Sequence, residues 1–173
     1  VDVVRAREAV GHDETGNPNF EPDVRRRMVE RRRGRMRAIA RAFQGQTLRS
    51  EDWSTETPLG LMSWGASASV AREAVQDLDA EGIHMRFLLP HVLWPMPDVA
   101  MRNFLGSGIK YLFVCELNAT RQFAEMVKAR YTRELVKYEV EVISITKDEG
   151  LPFPPSEIRQ GILDALAERP WKQ

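Results

Sequence analysis

The chain has 173 residues, a mass of 19.8 kDa and 25 Lys+Arg against 25 Asp+Glu. With 43% apolar and 29% charged residues it has the balance of a folded domain rather than a disordered chain. Zero net charge gives no global pull toward nucleic acid or anionic membrane, and no apolar run approaches the roughly 20 residues of a membrane helix.

Cys115 is the single cysteine, which excludes an internal disulfide and a multi-cysteine zinc or iron–sulfur site. The chain opens Val-Asp-Val-Val without Met or a signal-peptide pattern. The expectation is a piece of a longer polypeptide, with residues 1–21 a stub of a preceding domain. His12-Asp13-Glu14 falls there, in a Gly/Pro/Asn-rich stretch, and reads as solvated rather than as a cation site.

Residues 22–44 then read as an Arg-rich connecting helix. Nine arginines (25, 26, 27, 31, 32, 33, 35, 37 and 41) face only Asp23 and Glu30, a net +7 that the rest of the chain cancels. Pro22 suits the first helical position, and Met28, Met36, Ile39 and Phe43, with Val29 and Ala40, recur at helical spacing. A guanidinium-rich face matches phosphate geometry, so a free-standing RNA- or polyanion-binding protein using Arg25–Arg41 is the alternative reading. No aromatic is interleaved with the arginines, and Arg outnumbers Lys 20 to 5 throughout. An interface or solvated face is therefore preferred, and nucleic acid is not expected as a partner.

Residues 45–173 alternate strands and helices. Leu59 to Trp64 predicts a strand, followed by a helix burying Val70, Ala74, Val75 and Leu78 that stops at Gly82. Ile83 to Leu89 is a second strand, and Pro97 opens a short helix with Ala100, Met101, Phe104 and Leu105. Ile109 to Cys115 is the most apolar segment and is placed centrally. Asn118 or Thr120 caps a helix burying Phe123, Val127 and Tyr131. Lys137 to Thr146 is a strand, and Ser156 caps a last helix burying Ile158, Ile162 and Leu166. Such alternation implies α/β architecture with a mostly parallel sheet.

Ligands in these folds gather outside the carboxyl ends of the strands. Those ends carry Trp64-Gly65-Ala66-Ser67, Pro90-His91 and Glu116-Leu117-Asn118. Gly60 to Ser67 has the spacing of a phosphate-binding loop but carries Ala66 where lysine is needed, so nucleotide hydrolysis is not expected. Ser67 or Ser69 is free to cap the helix, and an anion at that end is the rival use. Glu116 demands a partner: a ligand, another chain, an ion pair or a local cap. His12, His84 and His91 lack a second ligand at metal spacing. Cys115 with His84 or His91 is a formal nucleophile pair, but a buried apolar-behaving thiol is preferred. The 92–97 segment, with Trp94, reads as a rigid turn and secondly as an interface.

Four segments in order resemble the carboxy-terminal part of the alpha subunit of 2-oxoacid:ferredoxin oxidoreductases. They are WGASASVAREAVQDLDAEGI (64–83), LLPHVLWPMP (88–97), VCELNATRQFAEMVKA (114–129) and GLPFPPSEI (150–158), and residues 11–36 join them. The chain departs from the family pattern at Ala66 (usually Ser), Arg121 (usually Gly) and Leu151 (usually Arg). The resemblance implies a three-layer α/β/α domain with a mostly parallel five-stranded sheet of the transketolase carboxy-terminal type. It implies a cytoplasmic holoenzyme using thiamine diphosphate, Mg and an iron–sulfur cluster, with coenzyme A as co-substrate and ferredoxin as acceptor. This chain itself is expected to bind no cofactor and no metal and to carry no catalytic residue. It would pack against the thiamine-diphosphate-binding beta subunit and the preceding alpha-subunit domain. Trp64, Gly65, Ser67, Glu116 and Asn118 form the candidate anion or interface site, and Trp94 and Arg121 the candidate interface.

Overall fold

A computed structural model describes residues 21–43, 47–49 and 56–171, with 47–49 described by backbone alone. The expected stub, including His12-Asp13-Glu14, lies outside the described residues apart from Glu21. The chain divides into two compact units, Val1–Phe43 and Gln44–Gln173, each described by itself.

In the first unit α1 spans Pro22–Ala42, with Pro22 in the opening turn and Asp23 beside it. Met28 is buried and Val24, Met36, Ile39 and Ala40 are half-buried, a stripe at helical spacing. Val29 and Phe43, expected on this stripe, are instead exposed. Val29 is one residue, about 100°, round from Met28, and Phe43 lies past the last helical turn.

The second unit holds a five-stranded sheet in the order β1-β3-β2-β4-β5. β2 (Leu59–Ser63), β3 (Arg86–Pro90), β4 (Tyr111–Glu116) and β5 (Glu141–Thr146) run parallel. β1, the three residues Thr47–Arg49, pairs antiparallel with β3 at the edge. The α/β class with a mostly parallel sheet is as expected, its parallel part having four strands. β4 is interior as expected, but β2 takes the central place. Gly60 lets it: a Cβ there would lie 2.9 Å from Ile109 Cδ1 and 3.0 Å from Phe104 Cζ.

Helices cover both faces, which is why the inner strands read as apolar runs rather than alternations. On one face α2 (Ser67–Ala80) and α5 (Pro155–Ala167) pack Ala71, Ala74, Leu78, Ile158 and Ile162 onto Leu61, Leu89 and Phe113. On the other, α3 (Asp98–Leu105) and α4 (Gln122–Tyr138) pack Met101, Phe104, Val127 and Tyr131 onto Met62, Leu88, Leu112 and Val114.

Three boundaries differ from the sequence reading. Ile83 belongs to the close of α2: with Gly82 at φ +86°, the Ile83 N–H donates to Leu78 O and the Gly82 N–H to Asp79 O. That double bond is a Schellman ending, and β3 starts only at Arg86. Lys137 and Tyr138 likewise end α4, where Val140 N–H donates to Leu135 O across Glu139 in the left-handed region. Ser156 does not cap α5; the helix starts at Pro155 with Pro154 before it and no side-chain cap.

Candidate functional site

The chain leaves β2 toward β3 on one side and, after β3, crosses to β4 on the other. The sheet therefore switches direction between β2 and β4, and the loops at their carboxyl ends diverge there. Ser63 Oγ donates to Cys115 O at 3.0 Å, tying the two strand ends together. Trp64 follows, 37% exposed, its ring edge-on to Phe123 with centroids 6.3 Å apart. Gly65 turns the chain into α2 at φ +60°, a conformation that costs glycine little.

Neither serine caps α2. Ala66 occupies the N-cap position with no side-chain cap bond, Ser67 is buried in the first turn, and Ser69 Oγ reaches back to Ala66 O at 3.4 Å. The helix starts directly from the Gly65 turn, so the capping expectation for Ser67 or Ser69 fails.

Glu116 is 1% exposed at the end of β4. Its carboxylate accepts the Phe123 N–H at 2.8 Å, the Ala124 N–H at 3.0 Å and an Asn118 Nδ2 hydrogen. No cation meets it in these bonds; the first-turn amides and positive end of α4 take the charge. Of the uses weighed for Glu116, the local cap is the one its geometry serves. Asn118 caps as expected, its Oδ1 accepting the Gln122 N–H at 3.2 Å and the Thr120 hydroxyl at 3.3 Å. Arg121 sits between them at φ 57°, ψ 37°, in the left-handed region where the resembled family usually has glycine.

Trp94 lies apart from this junction, 60% exposed and joined to Pro95 by a cis peptide bond. The Arg130 guanidinium stacks over its ring at 5.3 Å. Arg130 is itself gripped by Asp98 through Nε at 3.0 Å and Nη2 at 2.9 Å, and the Tyr131 hydroxyl donates to the same carboxylate at 2.6 Å. The Arg130 bonds, then Tyr131, hold the Asp98 carboxyl below its ordinary range against the opposing pull of burial.

Cys115 is buried in the sheet, and burial followed by the Glu116 charge pushes its thiol far above the usual range. It is no nucleophile, in line with the preferred sequence reading. His84 pairs with Asp79 on the surface. No group of three or more His, Cys, Asp or Glu among the described residues is placed to hold a metal.

A concavity missed by sequence reasoning opens on the other side of β2. Gly65, Ala68, Ser69, Arg72, Leu89, Pro90 and His91 line about 480 Å3. Its signal was present: residues 65, 68, 69 and 72 share one helical face running off the Gly65 turn, beside the Pro90-His91 strand end. Trp64, Glu116 and Asn118 do not line it.

The class these elements define is the transketolase-like α/β domain. A split-gene transketolase structure matches 65% of the chain at TM-score 0.52 and 17% identity, and so bears on the fold alone. More closely, the 2-oxoglutarate:ferredoxin oxidoreductase of Magnetococcus marinus, solved with 2-oxoglutarate, coenzyme A and succinyl-CoA, matches 90% of the chain. Its TM-score is 0.68 and its identity 28%, over 25% of that chain. The 2-oxoacid:ferredoxin oxidoreductase alpha subunit of Saccharolobus solfataricus is 24% identical over 87% of this chain and 23% of its own length. The alpha subunit of 2-oxoacid:ferredoxin oxidoreductase 2 of Aeropyrum pernix is 23% identical over 91% of this chain and 24% of its own length. No protein-family model matches. The chain thus spans about a quarter of the length of the curated relatives it matches first. The resemblance read from Gly11 to about Leu166 is borne out by these relatives, and none of them favours the polyanion reading.

Proposed function

We propose that this chain is the carboxy-terminal assembly domain of an alpha subunit in a thiamine-diphosphate-dependent 2-oxoacid:ferredoxin oxidoreductase. The holoenzyme oxidatively decarboxylates a 2-oxoacid to the acyl-CoA and passes the electrons to ferredoxin. The observation that carries the reading is the match to the Magnetococcus marinus enzyme over 90% of the chain. Residues 22–44 act in it as the connecting helix and 45–173 as the transketolase-like domain.

The thiamine diphosphate, Mg and iron–sulfur cluster belong to the rest of that assembly. One cysteine buried in a sheet supplies no thiolate set for a cluster. Glu116, the carboxylate at the strand mouth, is engaged by α4. What the domain offers is surface. Among the described residues of its second unit, five of the six exposed large apolar side chains, Trp64, Trp94, Val99, Leu117 and Leu151, stand on segments following the carboxyl ends of the strands, and the sixth, Val136, lies in the last turn of α4. Exposed apolar side chains gathered at one end suit burial against another subunit. Arg121 lies on the same loops. The beta subunit and the preceding alpha-subunit domain are the proposed occupants, in the cytoplasm; no helix among the described residues is long and apolar enough to cross a membrane.

The test is Trp94→Ala in the holoenzyme. It is expected to weaken subunit association at least tenfold by analytical ultracentrifugation while turnover per intact complex is kept. Association unchanged with turnover lost would overturn the assembly role.

A further inference from the structure

The 480 Å3 concavity beside β2 lies within the volume range of small-molecule sites and at the end of the sheet where α/β folds place ligands. Its lining is chemically one-sided. Arg72 comes from α2 and His91 from the segment after β3, so two elements bring nitrogen donors to one hollow. No carboxylate is among the lining residues. Among the described residues neither Arg72 nor His91 has an ion-pair partner. Arg102, Lys110, Lys128, Arg130, Lys147, Arg159 and Arg169 are each paired with Asp or Glu, whereas Arg72 shares its lack of an ion pair with Arg121 and Arg133, which do not line this hollow. Ser69 adds a hydroxyl, and Ala68, Leu89 and Pro90 supply an apolar wall.

We propose that this hollow binds a small phosphate-bearing molecule with an apolar remainder. The Arg72 guanidinium fork fits two phosphate oxygens, an imidazole N–H of His91 reaches a third, and the Ser69 hydroxyl turns to the ligand from its long 3.4 Å bond to Ala66 O. The unacidified start of α2 adds favourable potential without being the site. The carbon portion rests on Leu89 and Pro90. The site is a property of this chain alone, so it stands or falls separately from the assembly role.

The experiment is an NMR titration of the full 173-residue chain at fixed ionic strength with inorganic phosphate and with phenyl phosphate. The expected result is saturable shifts concentrated on the Gly65, Ala68, Ser69 and His91 amides, with phenyl phosphate binding more tightly. Arg72→Ala raises the Kd at least fivefold, whereas Arg133→Ala, on exposed α4 surface, leaves it within twofold. Both positions are exposed, and the remaining resonances report that the variants are folded. Non-saturating shifts spread over the surface arginines, or an Arg72→Ala chain that binds as wild type does, would overturn the proposal.

Discussion

Glu116 shows how a charge at the mouth of a strand can belong to the fold. Two buried N–H groups of α4 and the Asn118 amide converge on its oxygens. Glu116→Ala orphans both amides and is expected to cost roughly 2–4 kcal/mol in urea unfolding, since each unsatisfied buried donor costs about 1–3 kcal/mol. Glu116→Gln, keeping one acceptor, is expected to cost about half as much. A loss under 1 kcal/mol for the alanine variant would contradict the capping role. Arg121 offers the opposite sign. Its left-handed backbone, φ 57°, disfavours a side chain by about 1 kcal/mol, so Arg121→Gly is expected to raise stability by up to that amount. A clear fall in melting temperature would refute this. The sequence named Glu116 because a charge at a strand mouth demands a partner, and Arg121 because it departs from the glycine usual in the resembled family. It did not disclose which partner Glu116 takes, since the two amides lie seven and eight residues on and reach it only once α4 is docked.

Element by element, pattern carried further than end chemistry did. The apolar spacing of α1 to α5 and the runs of β2 and β4 were legible because burial on two faces forces them. The ends were not. Ile83 and Lys137 look like strand residues by composition, yet Schellman closures assign Ile83 to the end of α2 and Lys137 to the last turn of α4. β1 is three residues long, too short for any periodicity to register. Central β2 depends on Gly60, where an added methyl meets Ile109 and Phe104 at contact distances below normal. Gly60→Ala is therefore expected to destabilise by about 1–3 kcal/mol, the usual cost of overpacking, measured by urea unfolding. A neutral result would mean that α3 yields without loss.

The α3–α4 clamp adds a pH dependence. Asp98 is held below its ordinary value of 3.8, chiefly by Arg130 and then by Tyr131. A depressed carboxyl contributes stability that is present above the ordinary value and lost as pH falls through the folded one. Stability is thus expected to decline below about pH 4 with a share that Asp98→Asn removes. Identical acid limbs in the wild type and this variant would contradict the clamp.

At the scale of the whole molecule, the opening arithmetic describes a neutral chain with the balance of a folded domain, and the structure divides it into two unlike units. Neutrality is a balance between the +7 of residues 22–43 and the acidic excess of residues 1–21 (−3) and 44–173 (−4). The candidate residues of the sequence reading separate as well. Trp64, Glu116 and Asn118 stand at the β2–β4 divergence, Trp94 stands with Arg130, and Gly65 lines the hollow with Arg72 and His91 on the other side of β2. Pattern could point to the strand ends but not to which of them enclose space, because that depends on how α2 and the β3–α3 segment pack. The apolar side chains exposed at that end fit a domain that functions against other subunits.

The most direct measurement is 2-oxoacid- and coenzyme A-dependent reduction of ferredoxin by the native complex captured through this chain. The account predicts an active complex that contains a thiamine-diphosphate-binding subunit, and no turnover by the 173-residue chain alone. Turnover by the isolated chain, or a captured assembly without that subunit, would contradict it.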